Sequence, residues 1–265
     1  MLQTEPRVGV LLRDWRRRRH LSQLALASDA EISTRHLSFI ETGRATPSRD
    51  MVLRLAERLD VPLRQRNHLL LAAGHAPVYR ERPLSDPALA AARRAVEVVL
   101  AAHEPFPALA VDRHWTLVAA NRALDPLLVG LDPSLVQPPV NVLRASLHPG
   151  GLAPRIANYD QWRSHLLLRL RRQVDVSADP VLAALLEELR GYPAPEGAET
   201  ERALPGEDYG AVAVPLRMRT PQGILSFVST TTIFGTPVDI TLSELALETF
   251  FPADEATAAA LGARG

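Results

Sequence analysis

The 265-residue chain has no cysteine, which excludes a disulfide framework, a thiol nucleophile and any cysteine-based zinc site, and leaves His, Asp and Glu to ligate a metal. It has no lysine either, since all thirty basic residues are arginine, so a phosphate-binding Gly-x-x-x-x-Gly-Lys loop is excluded. There is no Gly-x-Ser-x-Gly elbow and no pair of histidines at metal-binding helical spacing, and neither catalysis nor a metal site is expected. No apolar run approaches the roughly 20 residues that cross a bilayer. The start, MLQTEPRVGVLLRDWRRRRH, also lacks the pattern of a cleaved export signal. The expected location is the cytoplasm, with no membrane partner.

Apolar residues make up 46% of the chain and charged residues 23%, a balance that supports packed cores, and the length suggests two domains. The formal net charge of zero hides an asymmetry. Residues 1–82 hold fifteen Arg against nine Asp and Glu, so that segment carries +6 and the remainder −6. The cationic segment is the candidate for binding a polyanion.

Residues 9–73 break into five short apolar-periodic segments separated by Ser, Gly or Pro, the pattern of an all-helical bundle. In the first, residues 9–19, an apolar stripe of Val8, Leu11, Leu12 and Trp15 leaves Arg13, Arg16 and Arg17 facing away. Ser22 and Ser33 suit the caps of the second and third. Gly43 suits the end of the third, Pro47-Ser48 the start of the fourth and Pro62 the start of the fifth, which closes at Gly74. Residues 75–85 contain prolines and no periodicity and read as a linker to a helix over 86–103.

Residues 108–112 and 115–120 read as a β-hairpin around Asp112-Arg113-His114. Residues 122–190 read as mainly helical, with helices over 159–174 and 181–190, and 191–208 as a mobile loop. Residues 211–218 and 224–233 read as two strands about a turn at 221–223. The expected architecture is an all-α five-helix domain over 1–75, a linker and connecting helix over 76–103, and an α+β domain with an antiparallel sheet over 104–265.

The second and third segments are joined by only Ala30-Glu31-Ile32, with apolar faces meeting at the turn. They must pack at a steep angle and present the third helix outward, a helix-turn-helix arrangement. Its outward residues are Thr34, Arg35 and Ser38, with His36 and Phe39 beside them, groups suited to base edges in a major groove about 12 Å wide. Arg35 suits a guanine. Gln23 can bond both a phosphate and a side chain of the third helix, and Arg16, Arg17, Arg44 and Arg49 are placed to neutralise phosphates. Taken alone, the run RRRR at 16–19 also reads as a solvated helix face. Glu41 reads as structural, pairing within the bundle.

The stretch LSQLALASDAEISTRHLSFIETGRATPSRDMVLRLAERLDVP at residues 21–62 resembles the XRE (phage-repressor) family of helix-turn-helix regulators. The resemblance implies that Gln23, Ser33, Thr34, Arg35 and Ser38 occupy DNA-reading positions, and that a homodimer binds a two-fold double-stranded operator, which places it at the nucleoid. The likeness continues through VDRHWTLVAANRAL, NVLRASLHPGGL, the helix near Trp162 and TIFGTPVDITLSELALETFFPAD. Over nearly the whole chain the sequence is similar to the MmyB-like transcription regulators. That likeness implies a PAS-like second domain with an apolar pocket for a fatty acid or similar amphiphile, and no other cofactor.

Candidate pocket walls are Phe106, Trp115, Trp162, Leu166, Leu170 and Phe227, and candidate polar anchors are Asn121, Arg144, His148 and Tyr159. Each wall residue also fits ordinary core packing. Asn121 also fits a helix cap, Arg144 a pair with an acid, and His148 a turn with Pro149-Gly150-Gly151. The expected function is a sequence-specific DNA-binding transcriptional regulator whose second domain senses a small apolar or amphipathic ligand. The alternative is a regulator whose second domain only dimerises or binds a protein partner.

Overall fold

Serine hydroxyls start three of the first five helices. In the computed structural model, which describes residues 7–195, 214–221, 223–234 and 239–262, α1 is Val8–Arg18, α2 Gln23–Asp29, α3 Thr34–Glu41, α4 Arg49–Arg58 and α5 Leu63–Ala72. Ser22 Oγ accepts from the Ala25 N–H at 3.0 Å, Ser33 Oγ from His36 at 3.1 Å and Ser48 Oγ from Met51 at 3.3 Å, each cap contributing about 1 kcal/mol. Gly43 ends α3 at φ +73°, where glycine is not strained.

The five helices share a core in which Leu12, Leu26, Leu37, Ile40, Leu55 and Leu70 are fully buried. α1 meets α3 so closely that a Cβ on Gly9 would stand 2.1 Å from the Ile40 carbonyl oxygen, a separation that no side chain allows. The segment after α5 is strapped to it. Asn67 accepts from the Val78 and Tyr79 N–H groups and donates to the Tyr79 carbonyl, and Arg64 pairs with Glu81 through both terminal guanidinium nitrogens. Side chains satisfy this aperiodic backbone where secondary structure does not.

The chain divides into two compact units, Met1–Glu81 with Asp175–Ala178 and Val238–Ile240, and Arg82–Val174 with Asp179–Pro237 and Thr241–Gly265. The second is α+β. A 3-10 turn at Pro87–Leu89 leads into α6 (Ala90–Ala102), then β1 (Ala108–Val111), β2 (Leu117–Ala120), the short helices α7 (Asp125–Leu128), α8 (Pro133–Val136) and α9 (Val142–Leu147), and the long α10 (Tyr159–Ser177). α11 (Pro180–Arg190), β3 (Leu216–Thr220), β4 (Gly223–Ile233), α12 (Ile240–Ser243), β5 (Ala246–Pro252) and α13 (Glu255–Ala260) follow. The strands form one antiparallel sheet in the order β2-β1-β5-β4-β3.

Side-chain alternation along β1 builds a core on each face of the sheet. Leu109 and Val111 join Leu147, Trp162 and Leu166 on one side, while Ala108 and Ala110 meet Val96 and Leu100 of α6 on the other. β5, the central strand, is absent from the sequence expectation. It is hydrogen-bonded on both edges, and Leu247, Glu248 and Thr249 are buried in succession, so the apolar-polar alternation of a half-exposed strand is missing. The expected loop beyond residue 195 and the strand start at 211–213 lie outside the described residues.

Candidate DNA-reading surface and ligand cavity

The turn between α2 and α3 reverses through Glu31 at φ +55°, with the Ile32 N–H donating back to the Ala27 carbonyl at 2.9 Å. Leu37 and Ile40 bury the inner side of α3. Ser33, Arg35 and His36 stand exposed, and Thr34, Ser38 and Phe39 are half-buried beside them. The Arg35 and Arg44 guanidiniums lie 5.3 and 6.0 Å from the Phe39 ring centroid, a cation–π arrangement that gathers two cations at α3. Arg17 and Arg49 are also exposed.

Arg16 departs from the expectation. It is 9% exposed, with Nε and Nη2 donating to the two Glu41 carboxylate oxygens at 2.7 and 2.8 Å and Nη1 donating to the Leu21 carbonyl at 2.9 Å. Its guanidinium is spent inside the bundle and cannot serve a phosphate. The cause is helical spacing: Arg16 follows Leu12 by four residues and so shares the buried stripe of α1. Gln23 Nε2 donates to the same carboxylate at 2.8 Å, the expected link to a side chain of α3. Burial pushes the Glu41 carboxyl up, but the hydrogen bonds from Arg16 and Gln23 and the nearby Arg13 charge outweigh it and hold the group below its usual value. The bond to Glu41 raises Arg16 correspondingly.

The second unit holds a cavity of about 90 Å³. Its wall is mostly aliphatic, including Leu109, Leu117, Leu124, Leu127, Leu128 and Val142, closed by Trp115, Trp162, Leu166 and Phe250. Trp115 sits at φ +64°, a strained conformation for a bulky residue. Its indole is held in place, with Nε1 donating to Gln173 Oε1 at 2.7 Å and the Arg169 guanidinium 4.6 Å over the ring. Trp162 Nε1 donates to Ser146 Oγ at 3.0 Å. Arg169 and Glu248, also in the wall, form a two-pronged ion pair, and Arg169 Nη2 donates to Thr231 Oγ1 at 2.6 Å.

Residues 7–69 match a helix-turn-helix domain, and residues 92–263, more than half of the chain, match the MmyB-like transcription regulator ligand binding domain. The chain belongs to the MmyB-like transcription regulators. It is therefore a DNA-binding regulator of transcription carrying a ligand-binding domain. It has no match among curated proteins.

In this MmyB-like regulator, three of the expected wall residues, Trp115, Trp162 and Leu166, line the cavity. Leu170 and Phe227 are fully buried in the core, Phe227 edge-on to Phe250 at 6.4 Å. Phe106 packs on His103 instead, with ring centroids 5.9 Å apart. None of the four expected anchors lines the cavity, because each is engaged locally. Asn121 accepts from the Ala108 N–H and donates to the Leu100 and Phe106 carbonyls, so it ties α6 to β1 and makes no side-chain cap. Arg144 pairs with Glu188 at 2.7 and 2.8 Å. His148 Nδ1 accepts from the Gly150 N–H within its turn, and Tyr159 Oη donates to the Leu147 carbonyl.

The charged wall residues Arg169 and Glu248 escaped the sequence expectation. A signal existed for Arg169, which follows Trp162 by seven residues and so falls on the inward stripe of α10. Among the described residues, no cluster of His, Asp and Glu could hold a metal ion, and no helix is long and apolar enough to cross a membrane.

Proposed function

We propose that this regulator reads a two-fold duplex operator as a homodimer, with α3 of each copy in a major groove, acting in the cytoplasm on nucleoid DNA. Arg35 reads a guanine, Thr34 and Ser38 contact neighbouring bases, and Gln23, Ser33, Arg17, Arg44 and Arg49 hold the phosphate backbone. A small apolar or amphipathic molecule with a fatty-acid-like chain fills the cavity of the second unit. The observation that carries the sensing half is a leucine-rich cavity with two tryptophans in its wall, inside the matched ligand-binding domain. The strand order β2-β1-β5-β4-β3 favours a PAS-like description of that domain.

Ligand binding can change operator affinity only as far as it favours one state of the protein over another. Native mass spectrometry of the purified protein, before and after organic extraction, tests both halves of the sensing proposal. The expected result is an amphiphile released from a dimer. An empty dimer that gains no thermal stability from a panel of lipids and metabolites would instead describe a second unit that only dimerises or binds a protein partner.

A further inference from the structure

Resting on the cavity as the ligand site, we infer that a ligand makes room for itself by displacing α7, and that Arg155 is the latch that keeps α7 in place. The cavity measures about 90 Å³, whereas sites for small organic molecules take up about 300–1,000 Å³. A ten-carbon chain is therefore buried there only if part of the wall moves. Most of the wall is anchored. Leu109, Leu117, Leu216 and Phe250 stand on strands of one sheet, and Trp162 and Leu166 on the 19-residue α10. α9 is capped by Asn141, whose Oδ1 accepts from the Arg144 N–H at 3.1 Å. It also packs so closely on the following turn that a Cβ on Gly151 would stand 2.3 Å from the Ala145 carbonyl oxygen.

α7 is held by less. It is one turn long, with no side-chain cap at its start and no buried residue, yet it places Leu127 and Leu128 in the wall, after Leu124 of the preceding 3-10 turn. Both roots of the segment are fixed. Asn121 is tied to α6 and β1, with the Arg122 N–H donating to Glu104 beside it, and the Asp132 N–H donates to the Gly150 carbonyl at 2.8 Å. Next to the second root, Gly130 turns at φ +81° with nothing within 4 Å of where a Cβ would stand, a joint at which no side chain resists rotation. Between the roots, Arg155 Nη1 donates to the Leu127 and Val129 carbonyls at 3.0 and 3.2 Å. These belong to the helix end, where carbonyls have no internal partner. Each methylene taken out of water strengthens binding about fourfold, while giving up the two partly exposed latch bonds costs about tenfold. Two further buried methylenes outweigh the latch.

The test is titration and rapid mixing of the full-length protein with decan-1-ol and with sodium decanoate near neutral pH. Binding is read by emission from Trp115 and Trp162, two of the three tryptophans of the chain. Arg155→Ala raises the fraction of molecules with α7 displaced. Association rate and affinity should therefore both rise about tenfold, with the dissociation rate within about threefold of wild type. Hydrogen exchange of the wild type gives a second readout: on addition of a compound that binds, peptides over 122–130 should exchange faster while those over 159–170 slow down. An Arg155→Ala protein that binds no more tightly than wild type overturns the inference and leaves the cavity as the ligand site. A wild type in which 122–130 gains protection along with 159–170 overturns it in the same way. Failure of both compounds to bind either protein overturns the cavity itself as an amphiphile site, and the latch with it. The wild-type exchange pattern decides the matter even where the variant folds poorly.

Discussion

Arg16→Met removes one side of the buried knot that joins α1, α2 and α3. Glu41, 3% exposed, keeps only the Gln23 side-chain amide of its two side-chain donors. Breaking a buried ion pair from one side costs about 3–5 kcal/mol, and the surviving Gln23 bond puts the expectation near the lower end, about 3 kcal/mol. That loss corresponds to about 12–24 °C in the melting of a unit this small. Arg16→Met combined with Glu41→Leu removes both charges and should recover most of the loss, giving a coupling above about 2 kcal/mol in the double-mutant cycle.

Native-state hydrogen exchange of the full-length protein, read on peptides from residues 8–72, measures these differences for the helical unit alone. The knot also carries a pH signature. Because the folded-state value of Glu41 is lowered, its contribution is present above the unfolded carboxyl value of about 4.3 and fades as pH falls through the folded value. The gap between wild type and Glu41→Gln should therefore close in acid. An Arg16→Met variant that keeps exchange protection within about 0.5 kcal/mol and lowers the salt slope of DNA binding by about 1 would make Arg16 a phosphate contact and not part of the knot.

Gly9→Ala drives a methyl into the Ile40 carbonyl and should cost about 3 kcal/mol or more, visible as lost protection over the same peptides. Arg35→Ala, tested on an operator selected from random duplexes, should lose about 1–3 kcal/mol on that operator and much less on random DNA, with the melting temperature nearly unchanged. Equal losses on both would make Arg35 a backbone contact. Arg144→Ala breaks a pair whose side chains are 44% and 37% exposed, so at most about 1 kcal/mol of stability is expected to go. Ligand titration should be unaffected, and a loss of ligand affinity would return Arg144 to the list of anchors.

The helical unit was legible because its signals are local. Serine caps, Gly43 and the spacing of Leu12, Leu26, Leu37 and Leu55 each lie within one element or its boundary. At Arg16 composition and spacing disagree, and spacing, through Leu12 and Trp15, is the better guide. The second unit was legible in class but not in its centre. Glu248 falls in the middle of β5 and masks the run, and its partner Arg169 lies 79 residues earlier on α10. The cavity is lined by that pair and by leucines on several separate elements, which no single window of sequence contains. Asn121, Arg144 and His148 carry the chemistry of polar anchors, yet each finds a partner close by in the fold before any ligand arrives.

The glycine contact between α1 and α3 and the carboxylate knot beside it leave the reading head with no soft joint. A signal reaching this regulator cannot bend α3 away from α1 without breaking a buried ion pair or parting a backbone contact that tolerates no extra atom. In the proposed dimer, what a signal can change cheaply is how often two intact heads meet one duplex at the right separation. Variants that alter the response to the signal without altering sequence preference should therefore map outside residues 8–41.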